Sequence, residues 1–452
     1  MLAVALFIAA GPPNAWALLV PARRVTRGSN RILSEATLAQ LKLVASDAAE
    51  GARFGYSVAI DGDTLVVGAY AMDSDTGSVY VFRTSDGGAT YGQVAKLTAS
   101  DAAGDKFGYS VAVVDGATIV VGAPNGEAAY VFRTTDGGAT YDEIAKLTPS
   151  DGAAGFFGGS VALAGGTVVV GAYADDDGSF LSAKTKSGSA YVFRTSDGGA
   201  TYGEVAKLTA SDAAKDDYFG YSVAIDGATI VVGAYYYGSN NWKGSTYVFQ
   251  TSDGGATYGQ VAKLTASDAV AGDYFGWSVA VDGATIVVGA PNGEAAYVFR
   301  TTDGGATYDQ LAKLTASDAA EGDRFGCSVA IDGNTVVVGS PHDDDAGAWS
   351  GSAYVFRTTN DGATYGQMAK LTASDGNIGD YFGWSVAISN GTVVAGAYDY
   401  YGSGSAYVSS PQPTPTAQPT VSPQPTSNAL GSDAATRTGP LLALLVAAVL
   451  AL

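Results

Sequence analysis

The chain holds one cysteine, Cys327, and one histidine, His342, in 452 residues. A single cysteine allows no internal disulfide. Cys327 occupies the slot that Tyr56, Tyr109 and Trp277 fill elsewhere, so it reads as a packed core thiol. One histidine largely excludes nucleophilic triads and histidine-ligated metal sites. Cations are scarce too, with 24 Lys and Arg against 44 Asp and Glu for a formal charge of −20. That balance argues against nucleic acid or an anionic membrane surface as a partner, since both need clustered Lys and Arg. Long helical patterns are missing from the body of the chain. The terminal apolar run, Pro440 to Leu452, is 13 residues, short of the ~20 a membrane helix needs.

What the chain has in quantity is Gly (61), Tyr (27) and Phe (16), which suits many short strands joined by tight turns. One stretch recurs, first seen from Phe54 to Ala69. Read as strand, it sets Phe54, Tyr56, Val58 and Ile60 on one face and Gly55, Ser57 and Ala59 on the other. A bulky face opposite a bare one needs a neighbouring copy to cover it. The Phe-Gly pair returns at Phe107-Gly108, Phe157-Gly158, Phe219-Gly220, Phe275-Gly276, Phe325-Gly326 and Phe382-Gly383, making seven copies.

Each copy reads as four strands, in the first Phe54 to Ile60, Thr64 to Ala69, Ser78 to Thr84 and Tyr91 to Thr98. Asp-Gly turns such as Asp61-Gly62 and Asp226-Gly227 join strands 1 and 2. The expected fold is all-β, a seven-bladed β-propeller of four-stranded antiparallel blades. The last copy lacks its fourth strand, while Thr37 to Asp47 matches a fourth strand with no repeat before it. An N-terminal strand completing the last blade closes such a ring. Spacing varies in one place: Lys96 to Lys146 is 50 residues and Lys146 to Lys207 is 61, the excess falling between strands 2 and 3. The 2-3 and 4-1 connections share one face of a blade, so variation is confined to that face, as expected of a scaffold presenting a binding surface.

Outside residues 34–410, residues 1–17 fit a signal peptide ending at Ala15-Trp16-Ala17, and 18–33 read as a loose leader with four arginines. Residues 411–427 form a Pro/Thr-rich stalk. Residues 428–452 fit a GPI-type signal with attachment at Ser427, or a short hydrophobic tail.

The Phe-Gly to Val-Gly-Ala-Pro signature, plainest from Phe275-Gly276 to Gly289-Ala290-Pro291, resembles the FG-GAP repeat of integrin α-subunit propellers over residues 37–408. The resemblance implies an extracellular propeller used in adhesion or ligand recognition. Calcium-binding blades of that family carry an Asp-rich loop between strands 1 and 2. Here that place holds turns such as Asp226-Gly227, so the family's calcium sites do not carry over. Between strands 3 and 4, Thr84 to Tyr91 is similar to the Asp-box of sialidase propellers, recurring around Asp136, Asp197, Asp253, Asp303 and, altered, Asp361. That likeness implies a hairpin-stabilising role, and turn chemistry agrees.

A sialidase-like hydrolase would need arginines converging from different blades on one site. Arg83, Arg133, Arg194, Arg300 and Arg357 instead repeat one strand 3 slot, which points to packing and away from an enzyme. No cofactor is implied; the acidic residues Asp73, Asp75, Asp175, Asp176, Asp177, Asp343, Asp344 and Asp345 read first as solvated acidic loops, with oxygen donors to Ca²⁺ as the alternative. Tyr235, Tyr236, Tyr237, Trp242, Trp349, Tyr400 and Tyr401 are the candidate ligand-binding aromatics. Asn390 begins the one N-glycosylation sequon, on the opposite face. The expectation is a non-catalytic extracellular binding or adhesion propeller that meets a carbohydrate or protein ligand, reaches the membrane only through its C-terminal anchor, and sits outside the cell. A structural surface or wall protein is the alternative.

Overall fold

The computed structural model describes residues 3–8, 18–23, 39–101, 104–152, 155–176, 186–236, 242–360 and 362–410. Most of the expected signal peptide and leader, all of the stalk, Ser427 and the C-terminal tail, together with Asp177 and Tyr237, lie outside the described residues. Seven four-stranded antiparallel blades make up the body. The first consists of Ser57–Asp61, Thr64–Ala69, Ser78–Arg83 and Gly92–Leu97. Helix is nearly absent. First strands of successive blades adjoin around the ring, and that of the seventh adjoins that of the first.

Closure is by the N-terminal strand. Ala39–Leu43 pairs antiparallel with Ser405–Ser410, Ala39 opposite Ser410 and Leu43 opposite Ala406, as the outer strand of blade 7. Upstream, the backbone of Ala3–Ile8 pairs with Leu18–Arg23, and Val4 and Ile8 lie opposite Asp226 and Ser328 in the first strands of blades 4 and 6.

Why these residues make blades is visible in burial. In blade 1 the first three strands are buried on both faces, with only Arg83 half-exposed, because neighbouring blades cover each side. The fourth alternates exposed and half-buried residues and ends in a buried Leu97, the period-2 pattern of an edge. Strand 1 differs from the sequence expectation. It begins at Ser57, because Gly55 takes φ +88° and turns the chain before it. Phe54 therefore leaves the strand and bridges Gly404 of blade 7, with its ring edge-on to Tyr80 at 5.5 Å and Phe82 at 6.0 Å.

Small residues set the distance between blades. Ser57 Oγ donates to the Gly108 carbonyl of blade 2 at 2.8 Å, and a Cβ on Gly68 would lie 2.1 Å from that same oxygen. The same serine bond runs from Ser110, Ser160, Ser222, Ser278 and Ser328 to the next blade, and from Ser385 across the seam to Gly55. Blade 7 thus meets blade 1 as any blade meets its neighbour.

Candidate functional site

The two faces are built differently. On the underside, the 3-4 turn is the Asp-box. Thr84 Oγ1 donates to Asp86 Oδ1 at 2.7 Å, Thr90 donates its hydroxyl at 2.6 Å and its N–H at 2.9 Å, and the Gly88 N–H donates to Thr84 Oγ1 at 2.9 Å. The Thr90 hydroxyl first, with these other donors, holds the Asp86 carboxyl well below the usual carboxylate range. Asp136, Asp197, Asp253 and Asp303 repeat the arrangement. In blade 6 Asn360 takes the acceptor's place, and the expected Asp361 lies outside the described residues. Asn360 Oδ1 accepts the Thr364 N–H at 2.9 Å, and Nδ2 donates to Thr364 Oγ1 at 2.9 Å. The strand 3 arginines serve this face as well: Arg133 and Arg194 donate to the carbonyls of Gly198 and Gly254 in the next blade's turn. Asn390 is exposed at φ 52°, and the N–H groups of Gly391 and Asn390 reach Asp332, whose carboxyl burial pushes up to about 6.

The opposite face carries a latch in every blade. The Asp after one blade's outer strand accepts from a Tyr and a Lys of the next; in blade 6 Lys370 keeps Asp318 while the Tyr354 hydroxyl donates to Asp343 at 2.7 Å. Asp268 takes the Tyr297 hydroxyl at 2.9 Å and the Lys313 ammonium at 2.6 Å, and that ammonium holds its carboxyl below the usual range. At the seam, Asp375 takes Tyr407 at 2.6 Å and Lys42 at 2.6 Å, so both chain ends meet one carboxylate.

The acidic loops fall on these latches. Asp175 lies 2.8 Å from Lys207 and Asp73 lies 3.5 Å from Lys96. Asp343 bonds Lys370 at 2.9 Å, and Asp345 bonds the same ammonium. Oxygens of Asp318, Asp343 and Asp345 come within 4.8 Å of one another, yet Lys370 Nζ bonds all three. An ammonium holds the position a divalent ion would take. The rest serve loop geometry: Asp176 Oδ1 accepts the Lys186 N–H at 2.6 Å, Asp344 Oδ1 accepts the Trp349 N–H at 2.7 Å, and the Asp75 carbonyl accepts the Lys106 N–H at 2.8 Å.

The aromatic candidates separate. Tyr235 is not exposed as expected. It is buried, 4.0 Å from Tyr221 and 4.8 Å from Trp277 between ring centroids, because it directly follows a buried second strand. Tyr236 is half-buried. Trp242 and Trp349 are 47% and 48% exposed, and Tyr400 and Tyr401 more so. The two tryptophans hold equivalent places in blades 4 and 6. Both are left-handed, at φ 63° and 57°, and their carbonyls accept the N–H of Tyr274 and Tyr381 in the following blade. Trp242 stacks on Tyr236 at 5.5 Å and Trp349 on Tyr381 at 6.0 Å. Large side chains in this backbone region are uncommon and costly. Each is therefore a rigid, strained, half-open platform.

One set of residues escapes the sequence reading. The residue before each Phe-Gly is left-handed in all seven blades and half-buried. Phe156, Tyr218 and Tyr274 make one arc, in blades 3 to 5. Arg324, Tyr381, Arg53 and Lys106 make the other, running through the seam from blade 6 to blade 2. The signal was in the sequence as one variable position beside two fixed ones. Titratable groups here are muted: burial holds His342 down at about 4 and pushes Cys327 up to about 12.

These features define a closed seven-bladed propeller with a repeated underside and a varied opposite face. The FG-GAP repeat model matches residues 38–82, 91–141, 141–193, 202–249, 258–308, 308–356 and 365–409, and the chain belongs to the FG-GAP repeat family. No curated protein sequence matches it. Among solved structures it is similar to U3-55K, with TM-score 0.51 and 10% identity over 82% of this chain and 98% of that one. A Lactobacillus plantarum protein gives TM-score 0.49 and 12% identity over 83% and 98%. Saccharomyces cerevisiae Sqt1 gives 0.45 and 10% over 79% and 82%. Likeness at such identities speaks to the fold alone.

Proposed function

We propose that this protein is a non-catalytic, extracellular binding propeller that recognises carbohydrate through the face bearing its 2-3 and 4-1 loops. The observation that carries this reading is the pair of half-exposed tryptophans, Trp242 and Trp349, held left-handed at equivalent places in alternate blades. A flat, pre-positioned indole offers an apolar surface to the C–H face of a sugar ring at little entropic cost on binding. An enzymatic reading has less support: Arg133 and Arg194 serve underside turns, and the buried thiol and half-buried histidine are shifted away from neutral-pH chemistry. The signal-peptide pattern and the GPI-type tail place the protein on the cell surface in this proposal.

The test is a glycan-binding screen on the full chain beside W242A/W349A. Binding by the parent that drops at least tenfold in the double variant supports the reading. Cell adhesion without glycan binding would favour a protein ligand, and neither would favour a structural surface protein. Release from cells by phospholipase C tests the anchor, and retention would exclude it.

A further inference from the structure

The ring before Phe-Gly has a polarity that the fold does not require. Glycine or asparagine would sit in the left-handed region with little strain, yet every blade places a larger residue there. The cations gather on one side: Arg324, Arg53 and Lys106 fall in four successive blades with Tyr381 among them.

Charge sharpens the point. Each outer-strand Lys is paired with an Asp, as in Lys42 with Asp375 or Lys313 with Asp268. Among the described residues, Arg53, Lys106 and Arg324 have no carboxylate in ion-pair contact, on a chain of net charge −20. Arg53 and Lys106 lie over aromatic rings. The Arg53 guanidinium lies 4.3 Å from the Tyr400 ring centre and 5.2 Å from that of Tyr398, and Lys106 Nζ lies 5.7 Å from that of Tyr70. Tyr398 stacks in turn on Tyr381 at 5.0 Å. Stacking occupies the guanidinium face and leaves its in-plane N–H groups for a planar acceptor. The Glu294 carboxylate of the preceding blade is engaged with the backbone N–H groups of Gly322, Arg324 and Phe325.

We propose that the ligand is an acidic saccharide whose carboxylate sits on the Arg324–Tyr381–Arg53–Lys106 arc while its sugar faces lie on the tryptophan platforms. This rests on the carbohydrate reading above and adds the chemical class of the sugar.

The test uses the full chain and one oligogalacturonate of fixed length, as the free acid and as its methyl ester, by titration calorimetry at low and high salt. The expected result is at least tenfold tighter binding of the acid, lost at high salt and lost in R53Q/K106Q/R324Q, which still binds the ester. W242A/W349A should lose both. Equal affinity of the parent for acid and ester overturns this inference and leaves the carbohydrate reading standing. Acid binding that survives in W242A/W349A overturns the platform reading and leaves the cationic arc. No binding of either form overturns this inference, and the glycan screen then decides the carbohydrate reading. The acid–ester comparison needs no variant, so misfolding of a variant cannot mask it.

Discussion

The two faces of this propeller are made from the same repeats, yet one is nearly uniform and the other differs from blade to blade. On the underside, five boxes built on Asp86, Asp136, Asp197, Asp253 and Asp303 make the same bonds, and Asn360 joins the same partners without a charge, with its amide donating to the threonine hydroxyl. Opposite, the latch of Asp, Tyr and Lys is kept in every blade, while the residues above it change between Arg, Lys, Phe and Tyr. What holds blades together is repeated, and what faces outward is not. A packing role explains the first pattern, and the second is the freedom that a scaffold leaves to its surface loops, where binding is proposed.

Breaking the ring itself should have the largest effect. A chain starting after residue 45 leaves blade 7 with three strands and removes both Lys42 from Asp375 and Gln40 from Ser374. The melting temperature should fall by roughly 10 °C or more, since several kcal/mol of strand pairing and burial go at once. A peptide of residues 34–45 added in trans should restore part of the loss by strand addition. An unchanged melt would break the closure argument.

Next in size is a single glycine. Gly55 has φ +88°, and a Cβ there would lie 2.1 Å from the Ser405 carbonyl oxygen of blade 7. G55A should cost about 3 kcal/mol or more through left-handed strain and forced separation of the blades. G62A, also at positive φ but with open space around it, should show strain alone, about 1 kcal/mol. Chemical denaturation of the pair separates packing from conformation.

Repeat number, strand count, ring closure and the variable face could all be read from the sequence because each is a periodicity, and seven copies average out local ambiguity. The start of strand 1 could not. Alternation from Phe54 to Ile60 is a valid strand pattern, and only the contact with the neighbouring blade shows that Gly55 must turn. That misplacement also hid the ring, since Arg53 and Tyr381 then read as loop residues outside the repeat. The shift from Asp361 to Asn360 is similar, because a residue type outranked its position. The acidic runs left solvated loops and ion ligands both open because sequence shows acids without showing the Lys370 ammonium between them.

The underside makes a smaller, pH-dependent prediction. Bonds from the Thr90 hydroxyl and its neighbours hold Asp86 in the folded state well below its usual 3.8. A depressed folded value means the folded state binds fewer protons, so the stabilisation is present above about pH 4 and fades as pH falls below it. Blade 6 shows that asparagine keeps the bonds without titrating. Changing the five box aspartates to asparagine should therefore flatten the stability curve below pH 4, with the neutral-pH melt moving little. Unchanged acid sensitivity would mean that groups elsewhere dominate acid unfolding.

The smallest effect concerns the strained face, where stability and function should part. Trp349 combines φ 57° with a stack on Tyr381 at 6.0 Å. Alanine removes the stack and keeps the strain, so W349A should lose about 1 kcal/mol. Asparagine removes the same stack but tolerates the left-handed region, which offsets about 1 kcal/mol of conformational cost. W349N should therefore be the more stable of the two and close to the parent, while both bind glycan equally poorly. The same order is expected at Trp242, at φ 63°. If the asparagine variants were no more stable than the alanine ones, the left-handed geometry would carry no strain, and a tryptophan there would need no compensating role in binding.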